Sequence, residues 1–96
     1  MPAAARQGDN CTGHDACSPV PLIGCSPNVF INGKGAGRVG DDYAPHGCLT
    51  HSLHSDRIAV GSSTVFINGI PASRIGDAVF PAGVVRDGSG DVFIGG

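Results

Sequence analysis

No glutamate and no tryptophan occur in this chain of 96 residues, and aromatic residues make up 5% of it. Large side chains therefore cannot fill a thick core, and a chain this short buries only a modest fraction of its surface. No stretch approaches the ~18 apolar residues of a membrane span. The opening MPAAARQGD lacks the apolar region of a secretory signal, so the chain reads as made in the cytoplasm, with export by a dedicated machine left open. Positive charge is scarce as well. A formal net charge of -2 and a pI near 6.0 argue against a nucleic-acid binder, which needs a basic stripe. Signatures of chemistry are also missing: there is no G-x-S-x-G elbow, no G-x-x-x-x-G-K-[ST] loop and no C-x-x-C pair. Gly35-x-Gly37-x-x-Gly40 fits a dinucleotide fingerprint, but the next repeat has Pro71 and Ser73 where Gly35 and Gly37 stand, which makes these glycines turn residues.

What the chain does have is repetition. Sixteen glycines and seven prolines imply many turns and little helix. SPNVFING (26–33), SSTVFING (62–69) and SGDVFIGG (89–96) are three copies of one segment. AARQGD (4–9), AGRVGD (36–41) and ASRIGD (72–77) are three copies of a second. Twice the second follows the first after a short joint, Lys34-Gly35 and Ile70-Pro71; the third pair lies at opposite ends of the chain. The Val-Phe-Ile runs favour strands, and Asn-Gly at 32–33 and 68–69 suits hairpin turns. Three short antiparallel hairpins are expected, the third completed by the two termini, in a single all-β domain (1–96) with pseudo-threefold symmetry in a monomer. Alternation would set Val29 and Ile31 on one face and Phe30 on the other, and likewise Val65, Ile67 and Phe66, and Val92, Ile94 and Phe93. The repeated Arg6, Arg38, Arg74 and Asp9, Asp41, Asp77 read as structural, with Asp at a turn and Arg pairing between units.

Three connections, 10–25, 42–61 and 78–88, separate the hairpins and in a threefold object run to the same end. The second contains His46, Cys48, His51 and His54, and the first contains the chain's remaining histidine, His14. Imidazole and thiolate are zinc donors, and a tip with little core gains most from a metal staple. The bland alternative is a set of solvated loop histidines. Cys11, Cys17 and Cys25 read as small buried residues, with reduced thiols or metal ligation favoured over disulfides.

On these repeats and on GHDAC and APHGCLTHSLH, the sequence resembles the PAAR-repeat proteins over essentially its full length. The resemblance implies a small cone of short β-hairpins with loops converging on a metal-bound apex. Such a cone caps a trimeric β-helical VgrG-like spike of a type VI secretion system or a related contractile phage tail, one cap per trimer. It sharpens the spike for piercing a membrane, touches that membrane transiently and helps attach effectors, without nucleic acid. One zinc ion is implied, with His14, His46, His51 and His54 as ligands. Many members carry a third-loop cysteine that GDAVFPAGVV lacks, so Cys48 is the alternative fourth ligand. Val29, Phe30, Ile31, Val65, Phe66, Ile67, Val92, Phe93 and Ile94 are the expected spike-docking base. Two other functions stand beside this one. A metal chaperone or sensor would hold its ion weakly. A small zinc hydrolase is disfavoured by the absence of glutamate, with no carboxylate among the ligands except Asp15 and Asp56.

Overall fold

Three backbone hydrogen bonds close a ring around one axis. Ala5 N–H donates to the Ser73 carbonyl, Ser73 N–H to the Gly37 carbonyl, and Gly37 N–H to the Ala5 carbonyl, at 3.0, 3.1 and 2.9 Å. These residues occupy one position in the three AxR copies, so the pseudo-threefold axis runs between them. The computed structural model describes residues 1–14, 17–48 and 51–96, and the side chains of these except at 48, 51 and 52. The described residues are all-β, without a helix: β1 (Phe30–Ile31), β2 (Lys34–Gly35), β3 (His46–Cys48), β4 (His51–His54), β5 (Arg57–Ile58), β6 (Phe66–Ile67), β7 (Ile70–Pro71) and β8 (Val79–Phe80). The pairs β1–β2, β3–β4, β5–β8 and β6–β7 are all antiparallel. The molecule measures 37 × 24 × 22 Å, and its two nearly equal short axes are what an axial threefold requires.

Each Asn-Gly turn has both residues at positive φ, 54° and 77° at 32–33 and 55° and 76° at 68–69, the conformation that a two-residue hairpin needs. The third hairpin is assembled from the two ends of the chain, as the repeat order predicts. Ala3 bridges Phe93, and Ile94 N–H donates to the Pro2 carbonyl. Two sets of equivalent residues, Ile31, Ile67, Ile94 and Ala4, Ala36, Ala72, form the core of this end. Burying three isoleucines contributes about 1.5–3 kcal/mol each. The phenylalanines between the valines and isoleucines point outward, with Phe30, Phe66 and Phe93 at 61%, 56% and 51% exposure. Val29 and Val65 remain partly exposed rather than joining the isoleucines inside.

Beyond the axis ring lies a second closed ring. Bridges pair Asn10 with Pro21, Leu22 with Tyr43, Asp42 with Arg57, Ile58 with Val79, Ala78 with Val84 and Val85 with Cys11. Outgoing and returning arms of the three connections thus alternate around the axis, and each is hydrogen-bonded on both sides. No arm of this ring presents an open edge, which for such short strands replaces the cooperativity of a long sheet. Inside sit Cys11, Leu22, Tyr43, Ile58, Val79, Val85 and Ala5. The three connections are therefore paired with one another at their bases.

The arginine and aspartate repeats are clasps. Asp9, Asp41 and Asp77 each accept the backbone N–H and the Nε–H of the arginine three residues earlier, at 2.8–3.0 Å. Contrary to the expected pairing between units, the ion pair stays within each unit. The guanidinium Nη1 instead crosses over, from Arg6 to Asn32 Oδ1, Arg38 to Asn68 Oδ1 and Arg74 to the Gly95 carbonyl. The fork satisfies its own turn and still has donors for the neighbouring hairpin tip.

Candidate metal centre

The three connections leave the second ring at one end but differ in length. The first, 10–21, folds back through a tight turn in which His14 and Cys17 exchange backbone hydrogen bonds, at 3.1 and 2.8 Å. The second, 42–57, is the longest and projects as the β3–β4 hairpin, in which His46 faces His54 and Cys48 faces His51. The third, 78–84, is the shortest and turns back beside the first, where Thr12 N–H donates to the Val84 carbonyl and Val84 N–H to Thr12 Oγ1. It brings no metal donor to this end.

Three imidazoles and one carboxylate converge there. The donor atoms of His14, His46, His54 and Asp56 all lie within 4.8 Å of one another. His14 Nε2 and His46 Nε2 stand 3.2 and 3.1 Å from His54 Nε2. Asp56 Oδ2 is 3.3 Å from Nε2 of both His14 and His46, and Oδ1 is 2.9 Å from His54 Nε2. A tetrahedron whose corners lie ~2.0–2.1 Å from its centre has edges of about 3.3–3.4 Å, near the five separations above, while the set as a whole spreads within 4.8 Å.

The tautomer of His46 is determined by its surroundings. Its Nδ1 lies 2.8 Å from the Ser18 carbonyl, which only accepts, so Nδ1 carries the proton and Nε2 of the neutral ring presents a lone pair. That lone pair faces a second ring nitrogen and a carboxylate. Asp56 is fully buried, and neither of its oxygens accepts a hydrogen bond from a described residue, although three ring nitrogens stand nearby. A buried carboxylate in this condition is costly. A cation among the four donors would satisfy it and remove the clash of lone pairs, so the residues present fit a metal ion.

Of the expected ligands, the fold brings together His14, His46 and His54. The side chains of His51 and Cys48 lie outside the described residues. Asp56 was not foreseen as a ligand, yet a signal for it exists in the repeats. His14 and His46 each lie five residues beyond the aspartate of their Gly-Asp pair, whereas the third copy has Ala82 there. Asp56 lies two residues before Ile58, where the other returning arms carry Val20 and Gly83, making it the lone polar residue of that triplet. The expectation of reduced thiols fails at Cys17, which is disulfide-bonded; Cys11 and Cys25 are free thiols. Cys17 is tied to His14 by two backbone hydrogen bonds at this end, whereas Cys11 is enclosed in the core.

Residues 12–85 match the PAAR motif. The chain belongs to the PAAR-motif family. No curated protein matches it. Family membership makes this PAAR chain a spike-tip protein in general terms, a component of secretion-system spikes in a family of structural parts. The all-β architecture of short hairpins and the histidine-carboxylate group at one end agree with a PAAR cone.

Proposed function

We propose that this protein caps a trimeric VgrG-like β-helical spike, one cap per trimer, and ends the spike in a metal-fastened point that pierces a membrane. The observation that carries this reading is the closed threefold ring through Ala5, Gly37 and Ser73, with Phe30, Phe66 and Phe93 exposed at equivalent positions on the hairpins. A single chain that repeats its surface three times can meet three chains of a homotrimer equally. Phenylalanine is among the aromatic residues enriched at protein interfaces. Docking by strand addition would also cover the spike's own exposed sheet edges. The isoleucines of the expected base are buried, so the docking surface narrows to the three phenylalanines with the partly exposed Val29 and Val65 and the partly buried Val92.

At the other end, His14, His46, His54 and Asp56 would hold one zinc ion. Bound there, the ion supplies a closed cross-link between two connections. The protein's own contribution is orientation: the Ser18 carbonyl aligns His46, and the Tyr43 N–H holds the Asp56 backbone carbonyl at 2.8 Å. In this reading the protein is made in the cytoplasm as a monomer, leaves at the tip of the spike and helps attach effectors.

Co-purification with a trimeric spike protein tests the reading. A complex of one cap and three spike chains is expected. Phe30→Asp, Phe66→Asp and Phe93→Asp should each weaken it to a similar degree, because the threefold makes them equivalent. Unimpaired binding by all three would remove the docking assignment. Ile67→Asp is not a docking test, since it places a charge in the core.

A further inference from the structure

We infer that Asn32 is the chemically labile residue of this protein: of the two Asn-Gly turns it is the one that deamidates first, and its product cannot restore the contact between the first and third hairpins. Asparagine followed by glycine is open to attack by the glycine nitrogen on its side-chain amide carbon, because glycine has no side chain in the way. A bond forms from Gly33 N to Asn32 Cγ, the Cγ–Nδ2 bond breaks, and ammonia leaves with the proton from the glycine nitrogen. Water then opens the cyclic imide to aspartate or isoaspartate, so water is the only co-reactant. Asn32 and Asn68 are both exposed, stand at φ 54° and 55°, and follow the same Val-Phe-Ile run. Local sequence therefore treats them alike, and a difference between them comes from what each side chain holds.

Each amide is a latch onto a neighbouring unit. Arg6 Nη1 and Ser89 Oγ donate to Asn32 Oδ1 at 3.0 and 2.6 Å, and Asn32 Nδ2 donates to Asp91 Oδ1 at 2.8 Å. Arg38 Nη1 and Ser26 Oγ donate to Asn68 Oδ1 at 3.2 and 2.6 Å, and Asn68 Nδ2 donates to Asn28 Oδ1 at 2.8 Å. An amide pinned at both its oxygen and its nitrogen cannot turn its carbon toward the next peptide nitrogen, so the reaction waits for the latch to open. The latches differ in what they grip. Ser26 and Asn28 lead into β1, which continues through its own turn into β2. Ser89 and Asp91 lead into the third hairpin, whose two arms come from opposite ends of the chain. These arms are held by the Ala3–Phe93 bridge and by hydrogen bonds from Ala4 N–H to the Val92 carbonyl and from Ile94 N–H to the Pro2 carbonyl. A terminal segment held in this way opens more often than a continuous hairpin. The products differ as well. At position 32 a new carboxylate faces Asp91, whose own carboxyl is held below its ordinary range by donation from Asn32 and Ser89. At position 68 it faces Asn28, which can turn its amide and donate instead.

The test incubates the full chain at mildly alkaline pH and maps its peptides by mass spectrometry for the small mass gain of amide-to-acid conversion. In the folded protein the product should accumulate at Asn32 at least about threefold faster than at Asn68, following how often each latch opens. In concentrated urea the two rates should converge. Equal rates in the folded chain, a faster Asn68, or no product at either turn would overturn the inference. A preference for Asn32 that persists in urea would overturn it too, by placing the cause in local sequence. Asn32→Asp and Asn68→Asp carry the product's charge without the chemistry. Asn32→Asp should lower the urea midpoint more than Asn68→Asp does, and adding Asp91→Asn should recover part of that loss, because an amide there can donate to the new carboxylate. Midpoints equally lowered in the two single variants, or no recovery with Asp91→Asn, would show that the product is tolerated alike at both turns and overturn that half of the inference. Neither the metal reading nor the spike reading enters these results.

Discussion

His14 and His46 occupy the same position in two copies of one repeat, and their rings meet edge to face with centroids 5.0 Å apart. Symmetry alone would call for a third ring from the third copy, where Ala82 stands. The missing donor is replaced by two residues of the longest connection, His54 and Asp56. Thus a threefold scaffold ends in an asymmetric site.

The first prediction concerns that site. Stripping metal with a strong chelator should lower the thermal midpoint of the wild type, because a ligand present at a thousand times its dissociation constant stabilises by about 4 kcal/mol. His14→Ala and His46→Ala should start at the lowered midpoint and no longer respond to the chelator. A chelator shift of normal size in either variant would show that the ion is held elsewhere.

The clasps should matter more than the other arginine–aspartate contact on the surface. Asp41→Asn removes a nearly buried acceptor of one backbone and two guanidinium hydrogen bonds, and should cost about 1–3 kcal/mol in urea denaturation. The Arg86–Asp87 pair has 47% and 42% of its side-chain surfaces exposed, so Asp87→Asn should cost distinctly less. Equal losses would mean that the repeated pairs are ornamental.

Stability should fall in alkali through Tyr43. Burial pushes its phenol above the ordinary range, with Cys11 and nearby aspartates acting in the same direction. Below pH ~10 the phenol is neutral in both folded and unfolded chains, and its contribution is fully present. As pH rises further the unfolded chain ionises first, so stability drops by up to about 1.4 kcal/mol per pH unit until the folded phenol also ionises. Tyr43→Phe should flatten this limb relative to the wild type when denaturation midpoints are compared between pH 9 and 11. An unchanged slope would sink the assignment.

At the axis, two substitutions should have opposite signs. A Cβ at Gly37 would lie 2.9 Å from both Leu22 Cδ2 and Ser73 Oγ, so Gly37→Ala should destabilise by about 1–3 kcal/mol. Ser73 Oγ is buried without a hydrogen-bond partner among the described residues, so Ser73→Ala should be neutral or stabilising. Combined with Gly37→Ala, it should recover part of that loss, by roughly 0.5 kcal/mol or more. Strict additivity in calorimetric midpoints would show that the two sites do not share the space that the geometry gives them.

Much of this protein was determined by local sequence. Asn32-Gly33 and Asn68-Gly69 specify hairpin turns through backbone preference alone, and the order of the repeats is enough to place the third hairpin across the two termini. Three of the four donors were legible because imidazoles are rare in the chain and clustered within it. What the tertiary structure decided depended on distance and burial. Ile31, Ile67 and Ile94 became core with Ala4, Ala36 and Ala72, while Phe30, Phe66 and Phe93 became surface, because threefold closure buries one face of each hairpin and strand alternation turns the phenylalanine to the other. Asp56 joined the histidines because ring closure buries its carboxylate beside three imidazoles, a cost that no local pattern records. Cys17 is disulfide-bonded, a pairing that cysteine spacing alone does not specify. Periodicity and turn chemistry act over a few residues and can be read along a chain; desolvation and convergence exist only once distant segments have met.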